Sequence, residues 1–247
     1  MQVRQNRREW EDLAHIDPMW AILSDDGKRD GGWNDGEFFA CGEAEINAVM
    51  ARATALGLPR HRRTALDFGC GVGRLSRPIA QRFRRCIGVD ISQQMIAEGK
   101  ARHSDIPGLE FLVNETDRIP MVGDRSIDFI YSRIVLQHVS SRDAIRSYLS
   151  EFARVLADGG LLVFQLPSYI PLRHRLQPRP RAYSLLRRLG IPRSVLYRRL
   201  RLQPIRMRWL GVESVRSLLE SRGLSLVTIE TQHMSSIDST TYFLTRG

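Results

Sequence analysis

Through the middle of the chain, short apolar runs alternate with stretches of helical period. Residues 64–68 (Thr-Ala-Leu-Asp-Phe) are an apolar run broken by one acid, and 75–83 reads as a helix. Residues 86–91 form the next apolar run, followed by a predicted helix over 92–103 with Ser92 as its N-cap. Runs at 109–113, 126–132 and 161–166 read as further strands. Between the last two, Ile145, Leu149, Phe152 and Leu156 line one face and predict a helix over 142–156, with Asp158-Gly159-Gly160 as the turn after it. Upstream, Ile46, Val49, Met50, Ala53 and Leu56 predict a helix over 43–56, ended by Gly57-Leu58-Pro59. Strands alternating with helices predict a parallel, doubly wound α/β sheet. The chain ends differently: a helix over 212–221 stops at Gly223, and strands at 224–231 and 240–245 are joined by a polar connection at 235–239. So short a link allows only antiparallel neighbours.

Two segments fall outside this rhythm. Residues 1–40 have no clear period but carry Trp10, Trp20 and Trp33 among turn signals, which predicts a loop-rich flap anchored by aromatic rings. Residues 168–210 are broken by prolines 171, 178, 180, 192 and 204, with short helical pieces at 183–189 and 194–202. They read as an inserted lid. No internal repeat is visible. The expected organisation is a single domain: a flap over 1–40, a cofactor-binding core over 41–167, a lid over 168–210, and a C-terminal helix with two strands over 211–247.

Composition narrows the class. Hydrophobic residues make up 43% of the 247, yet no apolar run approaches the roughly 20 residues of a membrane span. The basic N-terminus has no apolar stretch behind it, which argues against a secretory signal and leads to the expectation of a cytoplasmic protein. Cys41, Cys70 and Cys86 lack C-x-x-C spacing, and histidines 15, 61, 103, 138, 174 and 233 lack metal-ligand spacing. A reduced compartment and no metal site follow as expectations. The net charge of +10 is local. Residues 171–208 hold twelve arginines and no acid, so the remainder is slightly acidic.

The chemistry concentrates after the first strand. Gly69, Gly71 and Gly73 follow Asp67-Phe68 at alternate positions, ahead of a helix start. Glycines allow close approach of backbone to ligand, and a helix start offers free N–H groups. The spacing departs from the G-x-G-x-x-G of dinucleotide sites, since residue 74 is Arg, and it lacks the Lys-Ser/Thr ending of a P-loop. Asp90 ends the second strand, 21 residues after Gly69, where an acid can accept from ribose hydroxyls. Cys70 reads as a small filler within the turn.

With these residues in place, the stretch 65–167 resembles the class I S-adenosylmethionine-dependent methyltransferases, in particular their small-molecule branch. Ala-Leu-Asp-Phe-Gly-Cys-Gly-Val-Gly is similar to the family's first motif. Gly-Val-Asp-Ile-Ser is similar to its second strand end, Ser-Ile-Asp-Phe-Ile-Tyr-Ser to its fourth strand and Arg-Val-Leu-Ala-Asp-Gly-Gly-Leu-Leu-Val to the approach to its fifth. The resemblance implies a Rossmann-like seven-stranded sheet with an antiparallel last strand, and S-adenosylmethionine as cofactor with S-adenosylhomocysteine as product. It implies that Gly69, Cys70 and Gly71 lie under the methionine and ribose, that Asp67 orients the amino group, and that Asp90 binds the ribose. Ile91 and Met95 would pack on the adenine, and Asn114, Glu115 and Thr116 would face its edge. Glu115 stands where the family often has Asp. Ser132 and Arg133 would reach the methionine part through their backbone.

His138, just past the fourth strand, is the candidate general base, because histidine titrates near neutrality. His15, Asp17, Glu37 and His233 are further candidates for lining an acceptor pocket. The expected acceptor is a small molecule methylated on oxygen or nitrogen, and the basic segment favours an anionic or lipid-linked one. Two alternatives are an RNA-directed enzyme gripping phosphates through the arginines, and a protein that binds the cofactor without catalysis. The fourth strand lacks the Asn/Asp-Pro-Pro-aromatic motif of amino-directed nucleic-acid enzymes, which disfavours nucleic acid. Apolar and basic residues mix within 171–208 as they do in membrane-surface helices, so peripheral membrane contact is a further expectation. The oligomeric state stays open.

Overall fold

The computed structural model describes residues 2–234 and 237–247. Seven strands form one sheet in the order β3-β2-β1-β4-β5-β7-β6. They are β1 (Thr64–Phe68), β2 (Arg85–Asp90), β3 (Leu109–Val113), β4 (Ile127–Ser132), β5 (Leu156–Tyr169), β6 (Leu224–Met234) and β7 (Ile237–Arg246). Strands β1 to β5 run parallel, while β7 lies antiparallel to both β5 and β6. The expected sheet and its antiparallel end are therefore present. Of the expected polar connection at 235–239, Ser235 and Ser236 lie outside the described residues.

Alternation along each strand builds two cores. Leu66, Phe68, Ile130, Leu162 and Phe164 face α6 (Arg142–Val155) and α9 (Val212–Glu220), packing on Ile145, Leu149, Phe152, Val215 and Leu219. Ala65, Phe129, Tyr131, Leu161 and Val163 point to the opposite side, onto Ile46, Met50 and Ile79 of α3 (Asp35–Ala55) and α4 (Ser76–Ala80). A sheet covered on both faces has near-continuous apolar strands, as the sequence pattern required. Strand order reverses between β1 and β4, which opens a crevice beyond their carboxyl ends.

Four local expectations change. The predicted helix over 75–83 shrinks to α4, because the glycine turn runs on through residue 75 and Pro78 supplies no N–H. The turn at 158–160 lies inside β5 as a bulge: the register steps from Ile127↔Leu156 to Phe129↔Leu161, with Gly159 at φ +70°. Helix α3 starts earlier than 43, where Asn34 caps it by accepting from the Glu37 amide. The N-terminus is the largest difference. Instead of loops it forms α1 (Gln2–Ile16) and α2 (Pro18–Ile22). The apolar face of α1 is narrow, carried mainly by Trp10, Leu13 and Ala14, so its period was hidden among polar residues.

The arginine-rich insert forms α7 (Leu172–Arg175), α8 (Pro178–Arg188) and a π-helical turn at Val195–Arg199. It packs on the N-terminal helices. Tyr197 meets Trp20 edge-on at 5.5 Å between ring centroids, and its hydroxyl donates to Asp17 at 2.9 Å. Arg187 and Arg193 both pair with Asp12, Arg201 pairs with Asp30, and Arg206 reaches Glu9 at 3.8 Å. Four of the segment's arginines thus face carboxylates of this same chain. Among the described residues no helix is long and apolar enough to cross a membrane.

Candidate active site

The crevice is built from the glycine turn outward. Gly69 and Gly71 take φ +77° and +53°, a region costly for residues with a Cβ. Added Cβ atoms would overlap Val135 at Gly69 and Ile22 at Gly71. The turn is thus pressed between the segment after β4 and α2. Asp90 closes it from β2, accepting from the amides of Gly71 and Ser92, each at 2.9 Å. Ser92 in turn caps α5 (Gln93–Arg102) by accepting from the Met95 amide at 3.2 Å. Beyond β3, Asn114 ties the loop by donating to the Arg118 carbonyl at 2.7 Å and accepting from the Thr116 hydroxyl at 3.0 Å. Beyond β4, Ile134 sits at φ +60°, an outlier for a β-branched side chain, and its amide donates to Gln165 Oε1 at 3.0 Å.

These elements line a partly open cleft. Of the residues singled out from sequence, Gly69, Gly71, Asp90, Ile91, Met95, Asn114, Arg133 and His138 line it. Asp67, Cys70, Glu115, Thr116 and Ser132 do not. Asp67 is buried beneath the turn, accepting from the Ser76 hydroxyl at 2.5 Å. Cys70 turns into an apolar cluster with Ile96 and Phe111, the filler part expected of it. Glu115 points out to Arg7 and Gln93, while Asp117, two residues on, lines the cleft. Thr116 holds the loop by its hydroxyl and accepts from Tyr148 through its carbonyl. The Ser132 hydroxyl donates to the Phe68 carbonyl, joining β4 to β1. His15, Asp17, Glu37 and His233 lie away from the cleft; Asp17 receives Tyr197 and the Asp30 amide.

Sequence reading expected a flap here but not its helices or which of its residues line the cleft. Val3, Asn6 and Trp10 of α1 and Ala21 and Ile22 of α2 form one wall of the cleft. Asn6 donates to the His138 carbonyl at 2.9 Å, and the Trp10 ring lies 5.8 Å from the His138 ring. Glu11 fastens the same helix to α5, accepting from Ser92 Oγ at 2.7 Å and from the Gln94 amide at 3.2 Å. The spacing of Trp10, Leu13 and Ala14 was the available signal. Also unforeseen is Glu45, which accepts from Arg74, Arg133 and Tyr131 and anchors the ends of β4 and the turn to α3.

Electrostatics bear on the expectation of His138 as a base. Its Nδ1 lies 2.6 Å from the Arg206 carbonyl, which can only accept, so Nδ1 carries the proton. Nε2, 3.0 Å from Gln137 Nε2, then accepts from that amide. Burial lowers the imidazole to about 4. The ring is then neutral, with its free lone pair engaged by Gln137. Asp67 moves the other way: burial raises it to about 7, against the Ser76 hydrogen bond and Arg74. Asp90 is also raised by burial, against the amides it accepts from.

Comparisons with known proteins bear on this arrangement. Residues 66–164 match the family model described as "Methyltransferase domain". The chain is similar to the N-demethylindolmycin N-methyltransferase of Streptomyces griseus, 33% identical over 98 residues, covering 39% of this chain and 41% of that protein. It is also similar to the trans-aconitate 2-methyltransferase of Methylobacterium radiotolerans, 35% identical over 107 residues, covering 42% and 38% respectively. The chain thus spans less than half the length of these curated relatives. Among solved structures, the magnesium protoporphyrin IX methyltransferase of Synechocystis PCC 6803 with bound SAH shares the fold at a TM-score of 0.64. It is 19% identical, and the match covers 100% of both chains. Sheet order and glycine turn agree with that match: residues 66–164 match a methyltransferase domain, and the chain has the fold of a solved S-adenosylhomocysteine-bound methyltransferase.

Proposed function

We propose that the protein binds S-adenosylmethionine in the crevice and transfers its methyl group to an oxygen or nitrogen of a small-molecule acceptor. The observation that carries the reading is the convergence of Gly69, Gly71, Asp90, Ile91, Met95 and Asn114 on one wall of a cleft closed by Trp10 and Asn6. The donor set fits the cofactor. Gly71 leaves backbone bare, Asp90 keeps lone pairs for ribose hydroxyls, and Ile91 and Met95 give an apolar bed for a base. When bound, S-adenosylmethionine supplies an activated methyl group on a sulfonium.

The chain's own work is then alignment and exclusion of water. Ile134, Val135 and His138 line the same cleft as the glycine turn, and α1 closes it. Gln165, Gln137, His138 and the Arg206 carbonyl form one hydrogen-bonded row, each side chain fixing the next. With His138 held neutral and engaged, the site best suits an acceptor that brings its own lone pair at neutral pH. A carboxylate oxygen or an uncharged amine nitrogen meets that condition. Names of relatives support a small-molecule acceptor: one is a trans-aconitate 2-methyltransferase, the other an N-demethylindolmycin N-methyltransferase.

Titration calorimetry with S-adenosylhomocysteine tests the reading. Binding is expected in wild type, weakened by about 1.5–3 kcal/mol or more in Asp90→Ala through loss of charged hydrogen bonds. No binding to wild type would overturn the cofactor assignment, and an unchanged affinity in the variant would overturn the part given to Asp90. Methyl transfer to carboxylate and amine panels separates an enzyme from a protein that only binds.

A further inference from the structure

We propose that a second cavity, between the start of α6 and residues 206–209, is a binding site for a phosphate group. It is an open pocket lined by Arg142, Arg175 and Arg208, with Ser140, Ser141 and Trp209 among its other walls. No acid lines it. Among the described residues these three guanidiniums have no carboxylate within ion-pair distance, unlike Arg187, Arg193, Arg201 and Arg206.

The arginines are held in place. Arg142 and Arg175 lie 4.3 and 4.7 Å from the Trp209 ring centroid, so one indole fixes both by cation–π contact. Arg208 donates to the Ser140 carbonyl at 2.7 Å. Fixed guanidiniums lose less freedom on gripping an anion, and their planar forks match phosphate oxygens. The arrangement is costly when empty: burial, then the like charges of Arg206 and Arg142, push Arg208 below its usual range. An anion relieves that repulsion. The 14-residue α6 begins here with Ser141 as its cap and adds its positive end, while Asp143 of that turn pairs with Arg146 instead.

Ser140 lines both this cavity and the cofactor cleft. A phosphate held here belongs to a molecule whose remainder can reach the cleft, a step that rests on the methyltransferase reading. The phosphate is either that of a soluble phosphorylated acceptor or that of a lipid headgroup. Leu172 and Leu176, 73% and 61% exposed on either side of Arg175, would accommodate lipid chains.

The test is thermal unfolding and calorimetry with inorganic phosphate against chloride at equal ionic strength. Phosphate is expected to raise the midpoint in wild type and in Arg198→Gln/Arg199→Gln, outside the cavity. In Arg142→Gln/Arg175→Gln its affinity is expected to fall about tenfold or more. Both altered side chains are exposed, and retained S-adenosylhomocysteine binding reports an intact fold. No midpoint change in wild type, or an equal one in the cavity variant, overturns the proposal. Failure of S-adenosylhomocysteine to bind wild type overturns the cofactor reading and leaves the phosphate site standing. Sedimentation with phosphatidylglycerol but not phosphatidylcholine vesicles, lost in the cavity variant, assigns a lipid source. Binding of glycerol 3-phosphate without sedimentation assigns a soluble one, and either result supports the site.

Discussion

Two buried groups near the glycine turn titrate in opposite senses, and their effects on stability oppose. Asp67 is raised from 3.8 to about 7 in the folded protein. Across that window the folded state holds a proton that the unfolded state has lost, so this group's contribution falls as pH rises. His138 is lowered from 6.5 to about 4. There the unfolded state binds the extra proton, so its contribution falls as pH drops below 6.5. Each shift corresponds to roughly 3–5 kcal/mol at most. Wild type should therefore show a flatter stability profile than either single variant between about pH 4 and 7. Relative to wild type, Asp67→Asn should gain stability as pH rises, and His138→Asn should lose it. Urea unfolding midpoints at several pH values check this; parallel curves would contradict it. Activity gives a separate check on His138. Removing a general base costs about 10²–10⁴-fold, whereas His138→Asn is expected to lose less than about tenfold in kcat, with no rate inflection near the free histidine value.

At the scale of elements, the cover over the cleft is a composite. Helix α1 is fastened below by Glu11 to the start of α5 and above by Asp12 to Arg187 and Arg193. The strands and the glycine turn were legible in sequence because their signals are local: alternation, glycine spacing, an acid at a strand end. Helix α1 was not, because part of what holds it is charge pairing with residues more than 170 positions away. For the same reason Glu115 was expected in the cleft while Asp117 lines it: which carboxylate of a loop turns inward depends on tertiary ties such as Tyr148 to Thr116. Replacing Asp12 by Ala removes the shared partner of two arginines. Each partly exposed pair contributes about 0.2–1 kcal/mol, enough to loosen α1 without unfolding the sheet. Hydrogen exchange should accelerate over 2–16 and 178–199 while β1 to β5 stay protected. Uniform acceleration would mean that α1 is part of the global core.

Across the whole molecule, charge is divided between the two segments that meet over the cleft. Residues 1–40 carry nine acids against five basic residues, and 171–208 carry twelve arginines and no acid. Their contact also has an apolar part, where Tyr197, Trp20 and Arg29 stack, with Arg29 4.0 and 4.7 Å from the two rings. The two contributions respond differently to salt. Exposed pairs such as Arg201–Asp30 are screened once the Debye length falls from about 10 Å toward 3 Å, between 0.1 and 1 M salt, whereas buried ring contacts are not. If charge closes the cover, S-adenosylhomocysteine should dissociate severalfold faster at high salt in wild type. The dependence should be reduced in Asp12→Asn/Asp30→Asn, which already lacks those pairs. Stopped-flow dissociation across a chloride series measures both. A rate independent of salt would mean that the tyrosine–tryptophan contact alone holds the segments together, and that the acid–arginine pairs set how they meet during folding rather than how long they stay closed.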